Sequence, residues 1–338
     1  MKKSLTFRLW FYGEINPHYF QLLLECYKGN QILDAYSKGM TIKHLVQTAL
    51  NTIVFPLPPL SEQTRIVDAV NRLLPYLHSY DRAEQKLSAL NTGFPEALKK
   101  SILQEAVQGK LVPQDPSDEP AEALLGRIRA EKQRLIKEGK IKKDKHESVI
   151  FRRDNSHYEK LNGVERCIDD ELPFEIPPQW CWIRFESTIT LLSGTDFAPD
   201  EYNSAGKGIA YITGASNIVD SQILVNRWTE TPRQIAHAGD VLLVCKGSGY
   251  GKTVICNIAQ AHIARQIMAV QKSDLLDMQY VKLFLDSSFD LLKAKGQGVI
   301  PGIDRTSVLH LLFPLPPLAE QHRIVQRIEE LLPLVKGL

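Results

Sequence analysis

The sequence predicts an α+β fold, in which a globular domain of mixed strands and helices is flanked by long helices that form an antiparallel, coiled-coil-like pair. Two observations carry this prediction. Residues 55–75 and 313–333 share 14 identities in 21 positions at an offset of 258, and both copies show helical periodicity. Between the copies, short β-rich runs alternate with Gly, Asn and Asp turns, which is typical of a globular domain. The chain is therefore modular, with a twofold plan.

Composition sets the outer limits. The chain has 338 residues, 43% of them hydrophobic and 24% charged, which suits about two folded domains and excludes disorder and collagen. The net charge of +2 means that local patches must hold any polyanion. The five cysteines form no CxxC pair, which argues against a zinc site or a disulfide framework and favours a reducing, cytoplasmic location. No apolar run approaches the roughly 18 to 20 residues of a membrane span.

Each repeated segment is a connector followed by a helix. In the first, Pro56, Pro58 and Pro59 favour an extended path before a helix opens at Ser61. Apolar stripes on the two helices are expected to pack against each other, and they consist of Ile66, Val70, Leu73 and Leu77 in the first and Ile324, Ile328 and Leu331 in the second. A kink is expected at each copy's last proline. Further helices are predicted at 94–108 and from about 117 to 139.

The segments between and before the connectors differ in character. Residues 131–153 hold nine Lys and Arg against four Asp and Glu, which predicts a solvated basic linker, with contacts to DNA phosphates as the alternative. Beyond it, strands are predicted at 209–213, 240–244 and 267–271, and a helix at 278–285. Residues 16–26 resemble residues 277–287 in pattern, and each segment precedes its own connector. The first 50 residues are therefore expected to be the tail of a module whose body lies upstream.

No catalytic centre is predicted. The run 246–253, KGSGYGKT, has Lys246 where a Walker phosphate loop requires Gly. The run 16–19, NPHY, is one residue away from the NPPY loop of amino-methyltransferases, but too few residues precede it for a methyl-donor pocket. The histidines show no metal-binding spacing, and no GxSxG motif occurs.

Three segments together resemble the specificity subunit of type I restriction-modification enzymes: the doubled connector, residues 99–132 and residues 172–194. Weaker matches at 209–220 and 238–253 extend the resemblance over nearly the whole chain. In that family, two target recognition domains each read half of a bipartite DNA site, and long helices between them bind methyltransferase subunits. The resemblance implies a non-catalytic chain that binds no cofactor. S-adenosylmethionine, with ATP and Mg for restriction, is used by the partner subunits.

The resemblance also implies a domain plan. Residues 1–54 are the C-terminal remnant of a first target recognition domain, 55–135 the central helical region, 136–171 the basic linker, 172–312 the target recognition domain and 313–338 the second conserved helix. Family members usually have a complete first domain, and a natural half-subunit, a rearranged fragment and an incomplete reading frame all remain open. The expected partners are double-stranded DNA, methyltransferase subunits and, through them, restriction subunits. A homodimer of the chain is also expected to present two inverted domains to an interrupted palindrome.

Base reading requires hydrogen-bonding side chains on exposed loops. The predicted DNA-binding residues are Ser193, Thr195, Thr213, Ser216, Asn217, Lys246, Ser248, Tyr250, Lys252, Lys295 and Gln297. Residues 175–310 hold 12 Lys and Arg against 13 Asp and Glu, which is a poor balance for a DNA-binding domain that acts alone. The alternative function is a protein-interaction scaffold that has lost DNA reading.

Overall fold

The computed structural model describes residues 9–38, 44–45, 48, 51–141, 148–247, 249–295 and 302–336, and the chain divides into two compact units, residues 1–92 and 93–338. The helices are α1 (Pro17–Gly29), α2 (Leu60–Val107), α3 (Ala121–Lys137), α4 (Met278–Ser287), α5 (Phe289–Lys295), α6 (Arg305–Leu309) and α7 (Leu318–Lys336). The strands are β1 (Ser37–Lys38), β2 (His44–Leu45), β3 (Ser148–Arg153), β4 (Ser156–Leu161), β5 (Val164–Cys167), β6 (Cys181–Arg184), β7 (Leu191–Ser193), β8 (Ile209–Ile212), β9 (Ile218–Val219), β10 (Gln222–Ile223), β11 (Trp228–Thr229), β12 (Ile235–His237), β13 (Val241–Val244), β14 (Thr253–Ile255), β15 (Gln260–Ile263), β16 (Ile267–Val270) and β17 (Leu312–Leu315).

In the first unit, α1 packs on the connector that precedes α2. Asn16 caps α1 by accepting from the backbone N–H groups of the helix's first turn. The Tyr19 hydroxyl donates to the Pro56 carbonyl oxygen at 2.9 Å. The Gln63 side-chain amide donates to the Pro58 carbonyl at 2.8 Å, and the side-chain oxygen of the same Gln63 accepts from the Asn16 N–H at 2.9 Å.

The second unit repeats this arrangement residue for residue. Asp277 caps α4, and the Tyr280 hydroxyl donates to the Pro314 carbonyl oxygen at 2.9 Å. The Gln321 amide donates to the Pro316 carbonyl at 3.0 Å, and its oxygen accepts from the Asp277 N–H at 3.0 Å. The repeated connector is thus one structural device used twice, and its Gln fixes the helix of the module to the proline segment.

Helix α2 corrects the expectation of two separate helices. The sequence predicts a separate helix from residue 94, but α2 is one helix of 48 residues that includes Pro75 and Pro95, and the kink expected at Pro75 stays a prediction. A proline frees the carbonyl four residues before it. Those residues, Asn71 and Asn91, are exposed, so water can take the freed carbonyls, and continuing the helix avoids a second nucleation step. Likewise, α7 continues past Pro333.

The globular domain contains two four-stranded sheets. One has the order β11-β8-β15-β12 with β8 and β15 parallel, and the other is antiparallel with the order β14-β13-β16-β7. Strands β13 and β16 are buried throughout, because their apolar runs face core on both sides. The predicted strands β8, β13 and β16, the helices α3 and α4, and the α+β class are confirmed.

The predicted basic linker is wrong in its central part. Residues 148–167 form a three-stranded antiparallel sheet, β3-β4-β5. The hairpin turns at Asp154-Asn155 and Asn162-Gly163 have positive φ angles, which Asn, Asp and Gly adopt readily. The dense charge of this region obscured the strands, because the buried residue of β4 is itself charged: Glu159 is 2% exposed.

Candidate nucleic-acid interface

Three of the predicted DNA-reading loops, residues 193–196, 213–217 and 246–253, meet at residues 264–267, which lead from β15 into the first residue of β16 and which we call the central turn. The N–H groups of Gly194 and Thr195 donate to the carbonyls of Ile267 at 3.1 Å and Ile263 at 3.0 Å. The Ala264 N–H donates to the Ile212 carbonyl at 2.9 Å, where the loop after β8 begins, and the Cys245 N–H donates to the Gln266 carbonyl at 2.8 Å. Backbone hydrogen bonds therefore hold the three loops at one place.

Strand direction explains the convergence. β8 and β15 run parallel, so both end at the same edge. In the second sheet, Ser193 and Val244, the last residues of β7 and β13, lie across from the start of β16. The approach is close: a side chain at Gly194 would collide with the Ala264 carbonyl, so only glycine fits there.

The first predicted loop places Ser193 and Thr195 differently. Ser193 is exposed, and its hydroxyl accepts from Arg305 at 3.1 Å. Thr195 is half-buried, and its carbonyl accepts from His262 Nε2 at 2.8 Å. Ser193 therefore belongs to the surface, whereas the backbone of Thr195 anchors the loop.

The second loop requires a correction at Asn217, which the sequence predicted to contact DNA. Asn217 is fully buried. Its oxygen accepts from the Thr213 N–H at 2.9 Å and the Thr213 hydroxyl at 3.0 Å, and its amide donates to Leu224 at 2.9 Å and Asn226 at 3.2 Å. Asn217 and Thr213 thus shape the loop from inside, which leaves Ser216 exposed at its tip.

The third loop is the Gly-rich turn after β13. Lys246 and Lys252 are exposed, in agreement with a role at the surface. Tyr250 is half-buried, and its ring meets Phe289 edge-on at 5.6 Å. Gly251 has a φ of +90° and lies so close to Phe289 that a side chain would collide with it. The Tyr250 ring is therefore committed to packing, and the turn owes its glycine to this contact.

Several predicted residues lie outside the described part of the chain. Ser248 and Gln297 are among the residues that the structure leaves undescribed, as is the side chain of Lys295 at the end of α5. The predictions for these residues stay predictions.

The structure adds residues that the sequence reasoning missed. Arg265 and Gln266 are exposed on the central turn. Arg265 pairs with Asp196, with 3.2 Å between Nε and Oδ2, and Asp196 also accepts from the Arg265 N–H at 2.9 Å. The sequence did contain a signal for this turn, because the adjacent polar residues Arg265 and Gln266 stand between two apolar strands, a pattern that indicates a hairpin-like turn.

A buried histidine supports this surface from below. His262 is fully buried, its Nδ1 accepts from the N–H groups of Arg233 at 3.3 Å and Gln234 at 3.1 Å, and the Phe197 ring lies 4.1 Å away. Burial lowers the pKa of His262. Because Nδ1 accepts, the ring is neutral here.

The predicted helix-pairing residues separate into two environments. In the first unit, Ile66 and Val70 are half-buried, whereas Leu73 and Leu77 are each 60% exposed. In the second unit, Ile324 and Ile328 are buried in the core that also contains Leu103, Leu124 and Ile128, and Leu331 is half-buried. The second stripe is therefore covered by its own unit, which corrects the expectation that it needs the first stripe for its burial.

The described residues offer neither a metal site nor a membrane-spanning helix. Among them, no group of His, Cys, Asp and Glu side chains could hold a metal ion. No helix in the described part of the chain is both long and apolar enough to cross a membrane.

Comparisons with known proteins agree with the resemblance. The profile of the family described as the type I restriction modification DNA specificity domain matches residues 6–84. The specificity subunit of the type I restriction enzyme EcoAI from Escherichia coli is 32% identical over 251 residues, which are 70% of this chain and 40% of that protein. The EcoEI specificity subunit from the same organism is 31% identical over 256 residues, which are 70% of this chain and 39% of that protein. The prediction of a non-catalytic specificity subunit is confirmed by these matches.

The fold has relatives among solved structures. One, from a study of complex assembly and conformational transition of the type I R-M system, has 20% sequence identity and a TM-score of 0.55, and the match covers 92% of this chain and 62% of that one. The chain spans about 40% of the length of the curated relatives that it matches. Sequence and fold together place it in the family of type I restriction-modification specificity subunits.

Proposed function

We propose that residues 172–312 read one half of a bipartite DNA site, as the DNA-recognition component of a complex with type I methyltransferase subunits. One observation carries this proposal. Three loops predicted to read DNA meet at the central turn, where Ser216, Lys246 and Gln266 are exposed. Exposed polar side chains on loops that a rigid sheet edge holds together are what base reading requires.

The charge on this face favours assembly before binding. Asp196 neutralises Arg265 in part, and residues 175–310 carry slightly more acidic than basic side chains. Non-specific DNA affinity depends on phosphate neutralisation. The chain alone should therefore bind DNA weakly, and the methyltransferase subunits supply the missing positive surface.

In this proposal the partners do the chemistry. Methyltransferase subunits bind S-adenosylmethionine and modify adenine, the base that this family's partners methylate, and restriction subunits join through them and use ATP and Mg. The chain recognises the DNA sequence and provides the helices that hold the partners. It acts in the cytoplasm, where the DNA is.

A DNA-protection assay distinguishes this function from the scaffold alternative. The full chain is mixed with its cognate methyltransferase subunit and a library of DNA fragments. We expect a discrete footprint that requires both proteins. Assembly with the methyltransferase subunit but without a footprint on any fragment would favour the scaffold.

The described residues before α2 support a further part of the proposal, that residues 1–54 are the closing part of a first target recognition domain. In the second unit, β17 pairs with β6, and Leu315 is fully buried. Its counterpart Leu57 is 65% exposed. Likewise, Glu320 is buried and accepts from Trp180 at 2.8 Å, whereas its counterpart Glu62 is exposed. Among the described residues, the first connector thus has the same hydrogen-bonding device, but nothing buries Leu57 and Glu62.

A spliced chain tests this assignment. Residues 172–276 are joined directly ahead of residue 16, which places a copy of β6 where the first connector can use it. We expect hydrogen exchange at residues 54–57 to slow relative to the original chain. Unchanged exchange there, with the added segment folded by circular dichroism, would contradict the assignment.

The exposed stripe of α2 supports a homodimer as the form that binds DNA. Leu73 and Leu77 are 60% exposed, Tyr80 is 72% exposed and Leu87 is 58% exposed, at spacings of four, three and seven that suit a coiled-coil seam. A second copy can cover this stripe by a twofold operation. Two identical recognition domains would then face an interrupted palindrome.

A further inference from the structure

We infer that Gln266 is a base-reading residue that recognises an adenine in the major groove. This inference rests on the proposed function and assigns the specificity of that same site to a side chain. Gln266 is exposed at the central turn, on which the three predicted loops converge.

The Gln266 side chain is exposed and also lies between two of the predicted DNA-reading loops. A side-chain carbon at Gly214, in the second loop, would lie 2.6 Å from the Gln266 Oε1, and one at Gly247, in the third loop, would lie 3.3 Å from it. The Gln266 amide therefore stands between two loops that each have a glycine at this point, so neither of these two positions carries a side chain that could cover it.

The amide is also uncommitted. Among the described residues, none hydrogen-bonds to the Gln266 side chain, whereas the neighbouring Arg265 is paired with Asp196 and Ser193 accepts from Arg305. A Gln amide offers a donor and an acceptor side by side, which match the N6 amino group and N7 of adenine. Of the polar groups on the turn, Gln266 is the one whose chemistry and freedom both suit base reading.

The backbone of Gln266 has a separate, structural task. Its carbonyl accepts from the Cys245 N–H at 2.8 Å, and this bond holds the third loop to the turn. A side-chain substitution leaves the bond in place, so we expect Gln266 variants to fold. Side-chain effects on DNA can then be separated from effects on the loop.

The test maps methylated sites for the full chain assembled with methyltransferase subunits. Gln266→Ala should relax the recognised sequence at one base pair and slow methylation of the original site about 10- to 100-fold. Gln266→Arg should change the preference at that one position from adenine to guanine, because Arg reads guanine. The matched control is Gln260→Ala, an exposed residue at the other end of β15, which should leave site and rate unchanged.

The outcomes are distinct. An unchanged site and rate for Gln266→Ala, or a uniform loss at every position without relaxation, would overturn the inference while the proposed function stands. A wild-type complex that marks no discrete site would remove both. If each variant unfolds at the same temperature as the wild type, a loss of methylation does not come from misfolding.

Discussion

The carboxylate of Glu159 attaches the three-stranded sheet β3-β4-β5 to β6. Glu159 is 2% exposed, and Arg184 donates to both of its oxygens at 2.8 Å. Ser148 and Arg166 each donate at 2.6 Å. The Arg184 hydrogen bonds lower the pKa of Glu159 to about 2, against the opposing effect of burial.

Arg184→Ala should therefore destabilise the chain by about 3 kcal/mol, because it leaves a buried carboxylate short of its main partner. Urea unfolding measures this change. Arg166→Ala is the control, since Arg166 is half exposed, and it should cost under about 1 kcal/mol. Equal effects for the two variants would contradict the role given to Arg184.

The same carboxylate gives a pH dependence. Its pKa is lower in the folded chain than the ordinary value of 4.5, so its contribution is complete above about pH 4.5 and is lost as the pH falls towards about 2. We expect the protection of the β4 amides against hydrogen exchange, relative to the unfolded chain at the same pH, to fall as the pH is lowered through this window in the wild type. A Glu159→Gln variant should lack that loss of protection, and an equal loss in both would contradict the assignment.

His262 acts in a higher pH window. Burial lowers its pKa below 6.5, so the unfolded chain takes up a proton first as the pH falls. The stability from the neutral ring is complete above about pH 6.5 and declines below it. Melting temperatures from about pH 8 to about pH 5 should fall more steeply for the wild type than for His262→Gln. Parallel curves for His262→Gln would contradict this.

Lys252 tests the electrostatic side of the proposed surface. It is exposed on the Gly-rich turn, so Lys252→Ala should weaken DNA binding by the assembled complex and reduce the salt slope by about one. Lys272→Ala, two residues beyond the far end of β16, should leave both the affinity and the salt slope unchanged. A variant that melts early and binds DNA with the wild-type slope would make the turn purely structural.

At the scale of elements, the sequence predicts those whose chemistry is local. The apolar runs of β13 and β16 and the helical segment of α4 could be read directly. The sheet β3-β4-β5 could not, because its buried member is a Glu that depends on Arg184, 25 residues away. The continuity of α2 through two prolines also escaped, because it depends on solvent at the freed carbonyls.

The same division holds within the candidate site. The three loops could be predicted from turn residues, but the sequence does not distinguish Asn217, which is buried, from Ser216 beside it, which is exposed. Gln266 was missed because its position between two loops depends on Gly214 and Gly247, which lie 52 and 19 residues earlier in the chain.

The doubled connector makes a matched prediction. Gln321 is fully buried with both ends of its amide bonded, so Gln321→Ala should destabilise the second unit by about 2 kcal/mol, because a buried donor and acceptor lose their partners. Gln326→Ala, exposed on the same helix, is the control and should change stability by less than about 0.5 kcal/mol. If the two variants unfold at equally lowered temperatures, the stabilising role given to the Gln321 hydrogen bonds is contradicted.

At the scale of the whole molecule, the proposed homodimer would depend on the exposed α2 stripe, Leu73, Leu77, Tyr80 and Leu87. The double variant Leu73→Glu/Leu77→Glu should shift the chain from dimer to monomer in light scattering, because it places charge in an apolar seam. Exposed Arg82→Glu on the same helix is the control for a change of charge alone. A wild-type chain that is monomeric both alone and with methyltransferase subunits would end the dimer proposal and leave DNA reading intact.

Mapping of methylated adenines tests the central claim most directly. The full chain, S-adenosylmethionine and genomic DNA are incubated with and without methyltransferase subunits, and modified positions are read at single-base resolution. We expect no methylation by the chain alone and methylation at one discrete sequence when the subunits are present, with an interrupted palindrome if the chain acts as a dimer. Methyl transfer by the chain alone, or sequence-independent methylation by the complex, would contradict the assignment of this chain as the DNA-reading component.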